Sequence, residues 1–172
     1  GIYGSINFGG QWIDLSSNLE ITQWYRIANF ETNPNFIVGG TQDNGSNEWN
    51  SGTFDHVRGA DGMDAMISRT STNTYYTTQQ DGVIEKTING GTNWTNVSVG
   101  IKGPWVTPLI MHPTNSDIIY AGYSDVYKST NGGSTWTNTG VNGISGLAMG
   151  TNNTNKIYAA AGWNIWAVSY TH

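Results

Sequence analysis

The sequence predicts an all-β fold built from repeated four-stranded antiparallel units, and three observations carry that prediction. A turn recurs as Ser5-Ile6-Asn7-Phe8-Gly9-Gly10-Gln11-Trp12, Thr87-Ile88-Asn89-Gly90-Gly91-Thr92-Asn93-Trp94 and Ser129-Thr130-Asn131-Gly132-Gly133-Ser134-Thr135-Trp136. Its copies keep a period: 42 residues separate Trp94 from Trp136, and 82, close to two periods, separate Trp12 from Trp94. Between the turns lie four apolar runs, Asn35–Gly40, Thr74–Thr78, Asp117–Gly122 and Lys156–Ala160, each preceded by a turn rich in Asn, Pro, Ser or Thr. Short apolar runs bounded by turn residues read as buried strands. A period of about 40–45 residues with four strands per unit is that of a β-propeller blade.

Each residue of the turn has a mechanical part. The Asn side chain accepts backbone N–H groups and closes the loop. The Gly takes a positive φ that other residues resist. The Trp opens the next strand with a large apolar face and one N–H to satisfy. A fourth copy is due midway between Trp12 and Trp94, where Asn50, Gly52 and Phe54 stand as a decayed version.

Taken in order, residues 1–16 supply a strand ending at Ser5, the turn, and a strand from Trp12. Residues 17–58 form the next unit, with strands expected at Gln23–Ala28, Phe36–Gly40, Ser46–Asn50 and Phe54–Arg58. Residues 59–99 follow with Asp64–Ser68, Thr74–Thr78, Val83–Thr87 and Trp94–Ser98. Residues 100–140 carry Trp105–Met111, Ile118–Gly122, Val126–Ser129 and Trp136–Thr139. Residues 141–172 begin another unit with Gly146–Gly150, Lys156–Ala161 and Asn164–Ser169. Residues 1–172 are thus read as a single propeller region of about four blades. Ile2-Tyr3-Gly4-Ser5 aligns with both Val126-Tyr127-Lys128-Ser129 and Ile165-Trp166-Ala167-Val168, so the chain is cut at nearly the same strand at both ends. We expect an arc of a larger propeller, completed by the remainder of a longer chain or by another subunit. Gly1 in place of an initiator Met agrees with a processed or truncated piece.

Composition narrows function. Eight Trp and nine Tyr furnish a core, while 23 Gly and a charged fraction of 11% describe a turn-rich, weakly charged surface. A net charge of −5 with only seven scattered Lys and Arg excludes a phosphate-binding stripe. No apolar run is long enough to form a membrane-spanning helix. With no Cys, disulfides and thiolate metal sites are excluded. The Asn/Thr/Gly-rich surface suits an extracellular bacterial protein.

The Ser/Thr-x-Asn-x-Gly-x-x-Trp copies resemble the Asp-box, or bacterial neuraminidase repeat, with Asn in place of the usual Asp. Residues 21–64, through Ile21-Thr22-Gln23-Trp24-Tyr25-Arg26-Ile27-Ala28, Gly40-Thr41-Gln42-Asp43-Asn44-Gly45 and Gly59-Ala60-Asp61-Gly62-Met63-Asp64, look like sortilin-type propellers of large secreted Bacteroidetes proteins. The resemblance implies a propeller, export by the type IX route and a surface or adhesive role. It is specific for fold and poorly specific for activity.

The turn residues Ser5, Asn7, Gly9, Trp12, Thr87, Asn89, Gly91, Trp94, Ser129, Asn131, Gly133 and Trp136 are read as structural, at outer turns between third and fourth strands. Asp43, Asp81 and Asp125 recur at equal positions, which favours a turn-forming role. Asp61 and Asp64, three residues apart in a Gly loop, are the candidates for Ca²⁺, another ligand or acid–base work, against the plainer reading of a turn into an inner strand. A glycosidase needs two carboxylates flanking the scissile bond, and Asp55, Asp61, Asp64, Asp81 and Asp125 are the pool. Arg26, Arg58 and Arg69 fall at non-equivalent strand positions, which disfavours a sialidase cluster. His56, His112 and His172 are isolated, so neither a metal triad nor a nucleophile–His pair is predicted. Trp24, Tyr25, Trp105, Tyr123, Trp163 and Trp166 are the aromatics offered for stacking on sugars, with roughly one in four aromatics expected at the surface. The reading is therefore a recognition or scaffold module that needs no cofactor or resident metal and performs no catalysis, binding glycan or protein; the alternative is a fragment of an Asp-box glycoside hydrolase.

Overall fold

A computed structural model describes residues 2–17, 22–142 and 145–169. His172 and Ile21 lie outside the described residues. The chain folds into β-strands, with one short 3-10 turn at Gln80–Gly82.

β1 (Tyr3–Gly4) and β2 (Ile13–Asp14) form an N-terminal hairpin. The first blade is β3 (Trp24–Phe30), β4 (Asn33–Thr41), β5 (Ser46–Asn50) and β6 (Thr53–Arg58). The second is β7 (Gly62–Ile67), β8 (Tyr75–Gln79), β9 (Ile84–Thr87) and β10 (Thr95–Asn96). The third is β11 (Leu109–Met111), β12 (Ile119–Gly122), β13 (Asp125–Ser129) and β14 (Thr137–Asn142). The fourth has three strands, β15 (Gly146–Gly150), β16 (Asn153–Ala161) and β17 (Asn164–Ser169). All pairings are antiparallel between neighbours in sequence.

The blades stand side by side as an arc of a β-propeller. Their inner strands β3, β7, β11 and β15 line the axis, where a groove of about 310 Å³ runs between Asn29, Ile67, Met111 and Met149. Successive side chains along a strand point to opposite faces, so each sheet presents one face to the preceding blade (leading) and one to the following blade (trailing). Burial therefore falls into three separate layers. Phe36 and Val38 of the first blade meet Ala65, Ile67 and Tyr75 of the second. Met66, Tyr76 and Ile84 of the second meet Leu109, Met111, Ile119 and Tyr123 of the third. Tyr120 and Val126 of the third meet Ile157 and Ala159 of the fourth.

Two glycines set how closely the first and second blades approach. A Cβ on Gly40 would lie 2.3 Å from the Gly62 carbonyl carbon and the Met63 nitrogen, and one on Gly62 would lie 2.2 Å from the Gly45 oxygen. Backbone touches backbone there, and no side chain fits.

The three full turns share one hydrogen-bond plan. Ser5, Thr87 and Ser129 each donate their hydroxyl to the Asn two residues on, at 3.0, 3.0 and 2.9 Å. Each hydroxyl oxygen also accepts the Gly N–H four residues on, at 2.8, 3.0 and 2.9 Å. The Asn oxygen accepts the N–H of Gln11, Asn93 or Thr135. Gly9, Gly91 and Gly133 have φ of 88°, 80° and 89°. Pairing beyond the turn has one register: Gly4 with Ile13, Lys86 with Thr95, and Lys128 with Thr137. The N-terminal hairpin thus has the register of the outer two strands of a blade.

Three departures from expectation have a local cause. Residues 50–53 sit between the third and fourth strands, as a decayed copy should, but Ser51 (φ 49°) and Gly52 (φ 105°) make a two-residue hairpin turn. Asn50 there donates to Glu48 instead of bracing a loop. The expected strand Trp105–Met111 begins only at Leu109, because Gly103, Pro104 and Pro108 withhold regular pairing from the segment before it. The expected strand Trp94–Ser98 contracts to Thr95–Asn96, since Ser98 turns back on Asn96, its N–H meeting Asn96 Oδ1 at 3.0 Å.

Candidate functional site

Loops that join second to third strands, and loops that lead from one blade into the next, gather on one face of the arc. The inner strands open on this face through Tyr25, Arg26 and Asp64, and the loop of residues 99–108 crosses it. Asp43 and Asp81 occupy matching left-handed positions, with φ of 59° and 62°.

The centre of this face is an ion pair. Arg26 Nε of β3 lies 3.6 Å from Asp64 Oδ2 of β7. Asp64 is buried, and its carboxylate also accepts the N–H of Ala65 at 2.9 Å and of Leu109 at 3.3 Å. One side chain therefore ties the inner strands of three blades. Burial pushes its carboxyl up to about 6, against the opposing pull of Arg26 and the two N–H groups.

Above the pair, Trp105 donates its indole N–H to Tyr25 Oη at 3.4 Å, a contact across 80 residues of sequence. Trp105 is 51% exposed, so its ring offers a face to solvent beside the half-buried Tyr25 and the exposed Arg26. The loop that carries it is pinned by Gly103 N–H to the Asp81 carbonyl at 2.8 Å and by Lys102 Nζ to Asp81 Oδ2 at 3.2 Å. On the first blade a cavity of about 440 Å³ is lined by Thr22, Asp43, Asn44, Asn47, Phe54 and His56. Hydroxyl, amide and imidazole groups around one aromatic ring suit a polar ligand with apolar faces.

Asp61 and Asp64 do not converge. Asp61 Oδ1 accepts the Asp43 N–H at 2.7 Å, while Asp64 turns to Arg26 and Leu109. Asp125 accepts from Asn138 Nδ2 at 2.8 Å, and Asp55 is exposed on the outermost strand β6. No group of three His, Asp or Glu able to hold a metal occurs among the described residues. Tyr123, offered for stacking, is buried instead, and its hydroxyl donates to the Gly82 carbonyl. Trp24 is half-buried beside Phe54, while Trp163 and Trp166 are exposed on the fourth blade. More aromatics face solvent than expected, among them Tyr3, Phe8 and Trp12 on the N-terminal hairpin, Trp105 on its loop, Trp49 and Phe54 on the first blade, and Tyr158, Trp163 and Trp166 on the fourth.

Trp94 and Trp136 pack against neighbouring strands. Trp94 sits edge-on to Tyr75 under the Arg58 guanidinium, and Trp136 donates to the Val97 carbonyl at 2.8 Å. Trp12 is 63% exposed. Arg58 also forms a two-pronged pair with Glu85 of the next blade, Nε to Oε2 at 2.7 Å and Nη2 to Oε1.

Comparison with solved structures agrees with the class this geometry defines, a β-propeller. An ancestral GH74 enzyme matches over 98% of this chain and 28% of its own, with 19% identity and a TM-score of 0.65. The GH74 xyloglucanase from Xanthomonas campestris matches over 86% of this chain and 29% of its own, at 10% identity and TM-score 0.71. An auxiliary nutrient binding protein from Bacteroides thetaiotaomicron matches over 81% and 36%, at 11% identity and TM-score 0.59. At these identities the likeness is one of fold, and the chain spans less than a third of either GH74 protein. No family model and no curated protein matches the chain.

Proposed function

We propose that this chain is part of an extracellular, non-catalytic recognition module of the Asp-box propeller kind, whose ring is completed by further blades. Its loop face binds a glycan, with Trp105 as the stacking surface and the cavity at Asn44 and His56 as the polar subsite. The observation that carries this reading is the state of four loop-face carboxylates. Asp61, Asp64 and Asp81 are each held by a backbone N–H or a cation of this chain, and Asp125 by the Asn138 amide. A hydrolytic pair would need one free nucleophile or base and one free acid across a cleft. The name of one structural neighbour, a xyloglucanase, adds support for a sugar ligand. Calorimetry against a panel of neutral oligosaccharides tests it. Binding that is lost in Trp105→Ala and kept in Trp163→Ala is expected, and equal binding by both variants refutes the platform.

One observation favours the alternative, a glycoside hydrolase fragment: the Asp64 carboxyl, at about 6, lies where a general acid belongs. Release of reducing sugar from oligosaccharides, abolished by Asp64→Ala, would decide for that reading.

A further inference from the structure

On the face opposite the loop face, a hollow of about 440 Å³ lies between the second and third blades. The loop from β7 to β8 forms one wall and the loop from β11 to β12 the other. Ser68, Thr74, Lys86, Ile88, Ser116 and Asp117 are among its lining residues. The walls are fastened to each other. Ser68 donates its hydroxyl to Ser116 Oγ at 3.2 Å, and Ser116 Oγ accepts the Arg69 N–H at 2.9 Å. The base is fastened too. Tyr76 donates its hydroxyl to the Gly132 carbonyl at 3.2 Å, and the Gly132 N–H meets the Asp117 carbonyl at 2.9 Å. The hollow is therefore preformed, as small-molecule sites usually are.

Its charges are not matched within the fold. Between the first and second blades, Arg26 meets Asp64 and Arg58 meets Glu85, while Glu48 accepts the Tyr75 hydroxyl at 2.8 Å. Lys86 has no such partner. It is half-buried, donates to the neutral Gly132 carbonyl at 3.3 Å and lies over the Tyr76 ring at 5.4 Å. Among the described residues no carboxylate forms an ion pair with it. Asp117 is exposed on the third-blade side. Lys86 Nζ and Asp117 Oδ1 flank Gly132, at 2.5 and 3.7 Å from the position a Cβ would take there. An ammonium and a carboxylate thus line one hollow without closing on each other.

The lining narrows the ligand. A simple anion on Lys86 would be repelled by Asp117, and a simple cation on Asp117 would be repelled by Lys86. A molecule with one charge of each sign complements both. Serine and threonine hydroxyls rotate to donate or accept, so they serve either end. The ring that lines the hollow, Tyr76, is 1% exposed, so a sugar finds no face to stack on. Ile88 is 70% exposed and offers an apolar contact instead. We infer that this hollow binds a free α-amino acid with an apolar side chain. Its carboxylate meets Lys86, its ammonium meets Asp117, and its side chain lies against Ile88. The ligand bridges two adjacent blades. The inference stands apart from the glycan reading, whose residues lie on the other face.

Calorimetry on the intact chain tests it with L-leucine, isocaproate (the same skeleton without the ammonium) and isoamylamine (the same skeleton without the carboxylate). Leucine should bind, and each analogue should bind about tenfold or more weakly, since each forfeits one ion pair. Lys86→Met should erase the preference for leucine over isoamylamine. Asp117→Asn should erase the preference over isocaproate. Trp105→Ala should leave leucine binding unchanged, which keeps this result separate from the saccharide assay. A wild type that does not bind leucine overturns the inference, as do variants at Lys86 and Asp117 that bind it like the wild type. Isocaproate binding as tightly as leucine also overturns it, and makes the hollow a plain anion site. If either variant loses its melting transition, amide chemical shifts of the wild type decide. Leucine-dependent shifts centred on residues 68–74 and 114–117 support the site, and shifts confined elsewhere overturn it.

Discussion

Asn131→Ala is the sharpest probe of the repeated turn. The Asn131 oxygen accepts the Ser129 hydroxyl and the Thr135 N–H, both at 2.9 Å, and its amide donates to Thr135 Oγ1 at 2.9 Å. Ser129 is buried, and its hydroxyl in turn holds the Gly133 N–H. At about 1 kcal/mol net per hydrogen bond, losing two acceptor bonds and one donor bond costs about 2–3 kcal/mol. Asn131→Asp keeps both acceptor bonds and forfeits only the donor, so its cost should be about 1 kcal/mol or less. Urea unfolding followed by tryptophan fluorescence reads both variants as shifts in midpoint at unchanged slope. Equal midpoints for the two variants would falsify the claim that the acceptor oxygen braces the turn. So would an alanine variant indistinguishable from wild type.

Asp64 makes stability pH-dependent in an unusual direction. Its folded carboxyl, at about 6, lies above the unfolded value of about 4. The folded state therefore binds the extra proton, and this group's contribution grows as pH falls through 6, by roughly 3 kcal/mol at most near pH 4. Melting temperatures at pH 7.5 and 5 should show the wild type gaining on Asp64→Asn at the lower pH; a constant difference refutes the assignment. Gly40→Ala drives a methyl into the Gly62–Met63 backbone and should cost about 3 kcal/mol or more, measured by denaturant midpoint. Arg58→Lys keeps the charge but loses the two-pronged pair with Glu85 and the stacking on Trp94, for an expected loss of about 1–2 kcal/mol in the same assay.

The turns were legible because their chemistry is local: eight residues contain the hydroxyl, amide, glycine and indole that make the loop. Strand positions followed from the period, and Ser46–Asn50 and Gly146–Gly150 fall where expected. Contacts between blades were not legible. Nothing in the spacing of Tyr25 and Trp105 announces that 80 residues bring them together, or that Arg26 meets Asp64 across a sheet boundary. Asp61 and Asp64 looked like one unit because they are near in sequence. Strand geometry turns Asp64 toward the axis and leaves Asp61 to bind the neighbouring loop. The decayed copy illustrates a further limit: Asn50 and Gly52 survive, but without a Ser or Thr hydroxyl at the start of the motif the chain takes the shorter turn.

The separation of burial into three layers has a thermodynamic consequence. Each layer couples only adjacent blades, so the arc behaves as a one-dimensional array, with a free energy summed over nearest neighbours. Its second and third blades are each held by a layer on either side. Native-state hydrogen exchange should find β8 and β12, each packed on both faces, among the slowest strands to exchange.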